Sequence, residues 1–538
     1  MPVPSASGAE RKPNVLLIVT DQQRADHLGC YGNAVVRTPH IDGLARRGVR
    51  FERFYVASPI CMPNRATLMT GRMPSLHGVR NNGIPLSLDQ HTFVEVLRAG
   101  GYATALIGKG HLQNMIDAPP IAQPRFDPPG TQLAGFSEAR RGTLDGERYE
   151  QESPRRWHDP TFEVSTPYYG FDRAELATEH GDLVDGAYRR WLIAHGGDPP
   201  ALAGPAAALP SSRPYRVPQA WRTRVPEELY PTTFVAERTI AYLEQHAAAG
   251  GQQPFFIQCS FPDPHHPFTP PGRYWDMYDP DDMTAPATCH APGDAAPPNL
   301  CWMHEQRASG AARTDTPAAF AIDAGEAREA IALTYGMISM IDGAVGRVLA
   351  SLERLGLAGD TIVVFTSDHG DFMGDHGLLL KGPLHYRGLV RVPFIWVDPR
   401  AGGVANATRD GLAGTLDIAQ TMLDVAGFAG YNGMQGHSLL PMIAGHAPLR
   451  DAMIVEEDGQ RAMFGLREAP RVRTLITPAA RMSVYAEAAW GELYNLEQDP
   501  NESENRWADV PMRAEYLELL AHATLELGDR SPAPTRRA

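Results

Sequence analysis

Four short apolar runs, each ending abruptly in polar residues, give the first indication of the fold. The runs are Val15–Val19, Tyr102–Ile107, Phe255–Gln258 and Ile362–Phe365. Continuous apolar runs of this length are typical of strands that are buried on both faces of a mostly parallel sheet. We therefore predict an α/β fold with a large mixed, mostly parallel central sheet flanked by helices.

A cluster of polar residues follows each of these runs. The clusters, in chain order, are Thr20-Asp21-Gln22, Gly108-Lys109-Gly110-His111, Pro264-His265-His266-Pro267 and Thr366-Ser367-Asp368-His369-Gly370. In open α/β sheets, ligands bind just beyond the carboxyl ends of the strands. The sequence therefore predicts that the four clusters converge on one site.

The segments between the runs differ in character. Between Glu326 and Leu355 apolar residues recur at steps of three and four, which predicts a helix with one buried face that ends near Gly356. The stretches 114–225 and 262–320 show weak periodicity and many Pro, Gly and Arg residues. We interpret both as long insertions over the sheet that shape a substrate pocket.

The C-terminal part of the chain has a different pattern. The stretch 451–497 alternates short strand-like runs with polar turns, and 511–528 has the pattern of a helix. We therefore predict a smaller C-terminal α+β domain at 446–538, after a catalytic α/β domain at 1–445.

Composition narrows the function classes. The chain has 538 residues and a net charge of −14, which makes nucleic acid and anionic lipid poor partners. No apolar run reaches the length of a membrane span, and residues 1–13 lack the apolar core of a secretory signal. The expectation is a cytoplasmic protein with neither nucleic acid nor membrane as a partner; homo-oligomerisation stays open. Five cysteines without a close pair argue against a disulfide scaffold and a structural zinc site.

The strongest local signal is Cys61-Met62-Pro63-Asn64-Arg65, followed by Thr70-Gly71-Arg72. Pro63 suits the first turn of a helix that runs through Leu68. This position places Cys61 at a helix N-terminus, where backbone N–H groups and the helix dipole favour an anion. A single cysteine is more often a buried apolar residue, so the whole pattern carries the argument.

This pattern resembles that of the type I sulfatases of the alkaline phosphatase superfamily. The resemblance runs from Pro13 to about Asn505 and includes the four polar clusters and the late Glu492-Leu493-Tyr494-Asn495-Leu496. It implies an alkaline-phosphatase-like fold and the oxidation of Cys61 to formylglycine by a formylglycine-generating enzyme. Asn64 departs from the Ser or Ala that is usual at its position.

The chemistry that the resemblance implies is physically coherent. A hydrated aldehyde carries two hydroxyls on one carbon, of which one attacks sulfur and the other collapses the adduct to release sulfate. Such covalent catalysis divides one difficult step into two easier ones. The substrate implied is a small-molecule sulfate ester, and the sequence does not name its alcohol half.

The resemblance also implies one divalent metal ion, with Asp21, Gln22, Asp368 and His369 as ligands. Calcium is the usual ion of sulfatases, whereas an imidazole ligand favours manganese. The family commonly has a second Asp beside the first and often Asn in the last position. Gln22 and His369 instead resemble the phosphonate monoester hydrolase branch.

Five further residues are candidates for catalysis beside Cys61. By resemblance, Arg65 and Lys109 hold the formylglycine hydroxyls, and His111 takes a proton as the adduct collapses. His265 and Lys381 contact the sulfate oxygens and protonate the leaving alcohol. Fixed cations aimed at developing negative charge usually supply the largest catalytic contribution.

Three hypotheses about the function are consistent with the sequence. The leading hypothesis is a sulfatase, and the nearest rival is a phosphonate monoester or phosphodiester hydrolase that uses the same machinery. The third is an inactive binding protein on the same fold, because fold alone does not define function. His266 is interpreted as mainly structural, and three further candidates for the pocket have no assigned role: His77, Asn82 and His385.

Overall fold

The structure, a computed structural model, describes residues 12–116, 142–293, 295–400 and 402–528. The insertion predicted at 114–225 therefore lies partly outside the described residues. Among the residues that are described, none of the helices combines the length and the apolar character that crossing a membrane requires.

The described residues form strands and helices that alternate along most of the chain. The strands are β1 Asn14–Thr20, β2 Val49–Phe51, β3 Phe54–Tyr55, β4 Ala103–Lys109, β5 Arg173–Thr178, β6 Asp185–Gly186, β7 Phe255–Ser260, β8 Phe320–Ala321, β9 Thr361–Ser367, β10 Leu378–Leu379, β11 Phe394–Val397, β12 Ala407–Arg409, β13 Ala413–Gly414, β14 Met453–Asp458, β15 Arg471–Ile476, β16 Ala480–Tyr485 and β17 Gly491–Asn495. The helices are α1 Pro39–Arg47, α2 Cys61–Thr70, α3 Pro74–His77, α4 Phe93–Ala99, α5 Pro154–His158, α6 Ala187–Ala194, α7 Pro199–Leu202, α8 Pro231–Ala248, α9 Pro298–Ala308, α10 Ala324–Arg354, α11 Arg387–Val390, α12 Ile418–Val425, α13 Leu440–Ile443 and α14 Val510–Glu526.

A nine-stranded sheet with the order β12-β2-β11-β9-β1-β7-β4-β5-β6 forms the centre of the molecule. The five neighbouring strands β9, β1, β7, β4 and β5 are parallel, and antiparallel pairing occurs only nearer the two edges among the described strands. The strands β1, β7 and β9 are buried along their whole length. The prediction of a mostly parallel α/β sheet from the apolar runs is confirmed.

One parallel strand of the large sheet is not predicted by the sequence. The strand β5 lies within the stretch 114–225, which we had interpreted as an insertion over the sheet. Arg173 and Glu175 in its first half are only partly buried, so the strand lacks a continuous apolar run. The interpretation of this stretch is therefore corrected: part of it completes the sheet.

The helix predicted from Glu326 to Leu355 is α10, which packs beside α8 on one face of the sheet. Asp323 caps its N-terminus, because the side chain accepts hydrogen bonds from the backbone N–H groups of Gly325 and Glu326. A capping carboxylate at this position also interacts favourably with the helix dipole.

The C-terminal part of the chain forms a separate four-stranded antiparallel sheet, β14-β15-β16-β17, with α14 packed against β14 and β15. This arrangement confirms the smaller C-terminal α+β unit. The boundary between residues 445 and 446 stays a prediction.

Candidate active site

The carboxyl ends of five adjacent parallel strands define the site. Asp21 follows β1, Asp368 follows β9, Lys109 ends β4, and His265 lies beyond the end of β7. The ten residues predicted for the site are all buried, with exposed fractions of at most 5%: Asp21, Gln22, Cys61, Arg65, Lys109, His111, His265, Asp368, His369 and Lys381.

Cys61 is the first residue of α2, whose ten residues are all buried. Its Sγ lies 3.1 Å from Nε2 of His369 and 3.3 Å from Nζ of Lys381. Burial raises the pKa of the Cys61 thiol, but Lys109 and Lys381 outweigh burial and lower this pKa to about 7. The position therefore favours a negatively charged group.

Asp21, Cys61, Asp368 and His369 form a cluster in which the candidate ligand atoms all lie within 4.8 Å of one another. Nδ1 of His369 lies 2.8 Å from the carbonyl oxygen of Gly370 and donates to it. This hydrogen bond leaves Nε2, which faces the cluster, as the ring nitrogen with a free lone pair.

Gln22 lies beside this cluster with a backbone φ of +61°. Its Oε1 accepts a hydrogen bond from Nζ of Lys381 at 3.1 Å. Its Nε2 donates to Oδ2 of Asp371 at 2.5 Å and lies 3.1 Å from Nδ1 of His266. The amide is thus held by neighbours on both ends, which fixes the direction of its oxygen.

Arg65 connects three elements of the site. Nε donates to Asp368 at 2.7 Å, and Nη1 donates to the carbonyl oxygen of Lys109 at 2.9 Å and to Oγ of Ser260 at 3.0 Å. Nη2 is buried, lies 3.8 Å from Asp21 and has no hydrogen-bond partner among the described residues. One buried donor is therefore available for an atom of a ligand.

Lys109 and Asp21 form an ion pair that is completely buried. Burial by itself would raise the pKa of the Asp21 carboxyl, but the Lys109 ammonium outweighs burial and holds this pKa well below its usual value. Asp21 is therefore an anion at neutral pH.

His111 adopts a positive φ of 52° just after β4, and its backbone N–H donates to Glu152 at 2.6 Å. Burial and the nearby Lys109 ammonium lower the pKa of His111 well below its ordinary value. Nδ1 is buried with no hydrogen-bond partner in the part of the chain that the structure describes. The ring is therefore neutral, and Nδ1 is a buried polar atom available to a ligand.

His265 contacts Lys381, whose Nζ lies 2.6 Å from Nε2 of the ring. Burial and the neighbouring His180 lower the pKa of His265 well below its ordinary value. Lys381 thus carries the positive charge of this pair and donates to the neutral imidazole.

His180 is a site residue that the sequence analysis missed. It follows β5, and its ring stacks on that of His265 at a centroid distance of 3.6 Å. Its Nε2 lies 2.6 Å from Nζ of Lys109 and 3.6 Å from Oδ2 of Asp21. The side chain is 15% exposed, so it lies at the outer edge of the site. The only feature of the sequence that could have indicated His180 is its position just after a strand, and that strand has no continuous apolar run.

The three unassigned candidates lie outside the cluster. Asn82 accepts a hydrogen bond from the backbone N–H of Met62 at 3.0 Å, at the start of α2. His77 lies 3.1 Å from Oγ1 of Thr67 in the scaffold. His385 contacts the C-terminal sheet.

Comparison with known proteins gives a consistent assignment. Residues 13–428 match the family described as Sulfatase, and residues 374–527 match the family described as N-sulphoglucosamine sulphohydrolase, C-terminal. An arylsulfatase of Clostridium perfringens is 28% identical over 96% of this chain and 95% of its own length. A multifunctional alkaline phosphatase superfamily protein, PehA of Trinickia caryophylli, is 30% identical over 81% of this chain and 78% of its own.

Among solved structures, the phosphonate monoester hydrolase of Agrobacterium radiobacter superposes with a TM-score of 0.73 at 28% identity, and the match covers 97% of each chain. The chain thus belongs to the sulfatase family of the alkaline phosphatase superfamily and is a sulfuric ester hydrolase.

Replacement of His180 tests whether this unpredicted residue belongs to the working site. His180→Ala removes one of the two side-chain partners of Lys109 and the ring stacked on His265, so we expect kcat/KM for an aryl sulfate to fall by roughly 10–100-fold through loss of positioning. The matched control is His195→Ala, because His195 is an exposed histidine of the same region. Equal activity of the two variants would remove His180 from the site.

Proposed function

We propose that this protein hydrolyses sulfate esters with a formylglycine, formed from Cys61, as the nucleophile and with one divalent metal ion beside it. The observation that carries the proposal is the position of Sγ of Cys61, within 4.8 Å of the ligand atoms of two carboxylates and one imidazole. Nζ of Lys381 also lies close to this sulfur, at a distance of 3.3 Å. A metal ligand set and a fixed cation therefore meet at the position of Sγ, where oxidation of Cys61 replaces the sulfur by the oxygen that acts as the nucleophile.

The donor atoms fit a divalent ion. Asp21 and Asp368 offer carboxylate oxygens, Gln22 an amide oxygen, and His369 the ring nitrogen that its hydrogen bond to Gly370 leaves free. Such an oxygen-rich set suits calcium, and the imidazole makes manganese the alternative. When bound, the ion lowers the pKa of the nucleophile and withdraws charge from the ester oxygens.

The surroundings of Cys61 also fit formylglycine. The hydrated aldehyde supplies two hydroxyls, one for attack on sulfur and one for the release of sulfate. Nη2 of Arg65 is a buried donor without a hydrogen-bond partner among the described residues, and a hydroxyl oxygen would satisfy it. A formylglycine-generating enzyme is therefore the partner that this proposal requires during biosynthesis.

The other side chains bind the anion and move protons. Arg65 and Lys109 hold the hydroxyls of the nucleophile, and the neutral ring of His111 accepts the proton that is released when sulfate leaves. Lys381 and His265 bind the ester oxygens, and the ammonium of Lys381, which carries the charge of this pair, supplies the proton for the leaving alcohol. General acid–base catalysis of this kind typically contributes about 10²–10⁴-fold.

An inactive binding protein is a poor alternative, because it would be expected to lack a ligand or a cation. Each of the ten predicted residues is present and buried. A phosphonate monoester or phosphodiester hydrolase is the closer rival, supported by Gln22, His369 and the 28% identity to a phosphonate monoester hydrolase. The pair of Lys109 and His111 favours the sulfatase.

Mass spectrometry of the active protein tests the nucleophile. Made in a host that modifies such cysteines, the tryptic peptide that contains Cys61 should carry the aldehyde or its hydrate. Cys61→Ala should abolish turnover and leave the fold intact, whereas Cys259→Ala, at a buried cysteine of β7, should keep the activity. Full activity with an unmodified thiol would contradict the proposed chemistry.

Metal analysis tests the ligand set. Because Asp21 and Asp368 supply the negative charge of the proposed ligand set, Asp21→Ala and Asp368→Ala should each lose bound metal and nearly all activity. Asp410→Ala, at an exposed position, is the control and should keep both. Retention of stoichiometric metal by either ligand variant, measured by elemental analysis, would show that the assignment is wrong.

A panel of 4-nitrophenyl sulfate, a phenylphosphonate monoester and a phosphodiester tests the substrate class. We expect the largest kcat/KM with the sulfate ester and measurable activity with the others, since the same cations can hold each anion. The same panel is measured with the variant Lys109→Ala. Its kcat/KM should fall most for the ester class that the unmodified protein prefers. A higher kcat/KM for the phosphonate would favour the rival function.

A further inference from the structure

The chain that follows Lys381 is held from two sides: the ring of Tyr386 stacks on His376 of the catalytic domain, and the C-terminal sheet supplies polar contacts. We define the 383–387 segment as Pro383 to Arg387, which leads from Lys381 into α11. Lys381 itself reaches the nucleophile position and contacts Gln22 at 3.1 Å. The carbonyl oxygen of Lys381 accepts a hydrogen bond from the backbone N–H of Ala319 at 2.8 Å on one side, and the 383–387 segment is the support on the other.

His385 makes the central contact between the 383–387 segment and the C-terminal sheet. Its Nδ1 lies 2.8 Å from Oγ1 of Thr474 on β15, and its Nε2 lies 3.1 Å from Oε2 of Glu457 on β14. The imidazole is fully buried, and Glu457 is 2% exposed. Both ring nitrogens of His385 thus contact the C-terminal sheet, each on a different strand.

One hydrogen bond of His385 has a fixed direction. A carboxylate oxygen only accepts, so the N–H on Nε2 of the ring donates to Glu457. On the other side of the ring, Oγ1 of Thr474 lies 2.7 Å from Oγ of Ser483, which accepts a hydrogen bond from Nη1 of Arg481 at 2.8 Å. The imidazole is thus joined to a polar chain that continues into the C-terminal sheet.

Two further contacts hold the same segment on either side of His385. The hydroxyl of Tyr485 on β16 lies 3.0 Å from the carbonyl oxygen of Pro383. The backbone N–H of Arg387 donates to Oε2 of Glu502 at 2.7 Å. The segment is thus fixed at its beginning, middle and end by residues of the C-terminal part of the chain.

We propose that His385 is a positioning residue for Lys381, and that the C-terminal sheet acts through it to set the place of the ammonium that binds the ester. The inference rests on the role proposed above for Lys381. A lysine head group lies at the end of a flexible four-carbon stem, so its place depends on how firmly its backbone is held. A displacement of about 1 Å at a reacting group can cost on the order of 10²-fold in rate.

A double-mutant cycle tests this inference in the metal-loaded protein. His385→Ala should lower kcat/KM for 4-nitrophenyl sulfate by roughly 10–100-fold, the usual cost of losing a residue that orients a ligand-binding group. In the Lys381→Ala background the same substitution should cost less than about threefold, because residues that act as one unit are not additive. Affinity for inorganic sulfate, measured by calorimetry, should follow the same pattern and requires no turnover.

Two matched variants separate positioning from general loss of stability. His385→Gln keeps a donor near Glu457 and should recover most of the activity. Leu475→Ala removes a buried side chain on the opposite face of β15, next to α14, and should lower the melting temperature while kcat/KM stays within about twofold. A stability effect alone would lower activity in both His385→Ala and Leu475→Ala.

The outcomes distinguish this inference from the proposed function. If Lys381→Ala leaves activity and sulfate affinity unchanged, the proposed role of Lys381 is wrong. If Lys381→Ala is impaired but His385→Ala is not, or if the His385→Ala loss is equal in both backgrounds, the positioning role is overturned and the function stands.

Discussion

Charge balance among buried side chains governs the arrangement of this site. The pairs Lys109–Asp21 and Arg65–Asp368 are almost completely buried. The removal of one partner from a buried pair typically costs about 3–5 kcal/mol, since the other charge is then left without compensation. Each charged side chain is therefore held in place by its partner, and the orientation that chemistry requires follows from the same electrostatic constraint.

The topology of the sheet explains why so much of this site could be predicted from the sequence. Asp21, Lys109, His265 and Asp368 each follow or end an apolar run, and the runs turned out to be adjacent parallel strands. Their carboxyl ends meet at one edge, as the general rule for open α/β sheets requires. The fold class and the ten buried candidates were thus accessible from local patterns together with the family resemblance.

Residues that support the site from a distance in sequence were not accessible in this way. His180 was missed because β5 begins with partly exposed charged residues and lacks an apolar run. Asp371 was missed because its contact with Gln22 joins residues that are 349 positions apart. Glu152, which accepts hydrogen bonds from the backbone N–H groups of His111, Leu112 and Gln113, lies in a stretch with no periodic pattern.

The contacts between the C-terminal sheet and the 383–387 segment also join residues that are distant in sequence. His385 follows Lys381 closely in sequence, yet its partners Thr474 and Glu457 are 89 and 72 positions away. The pattern of 451–497 predicts strands but does not indicate that the sheet they form contacts the segment after Lys381. A cation of the site therefore depends on a part of the molecule whose sequence carries no catalytic motif.

The electrostatic environment of Cys61 links structure and chemistry most directly. A thiol buried this deeply should have a raised pKa, yet Lys109 and Lys381 lower it to about 7. The field of these cations does not depend on whether sulfur or oxygen carries the negative charge. The same field that favours a thiolate favours the oxyanion of a hydrated aldehyde and the charge that grows on a departing sulfate. The lowered pKa of Cys61 is therefore a consequence of a site arranged for anions, which is the property that hydrolysis of a sulfate ester requires.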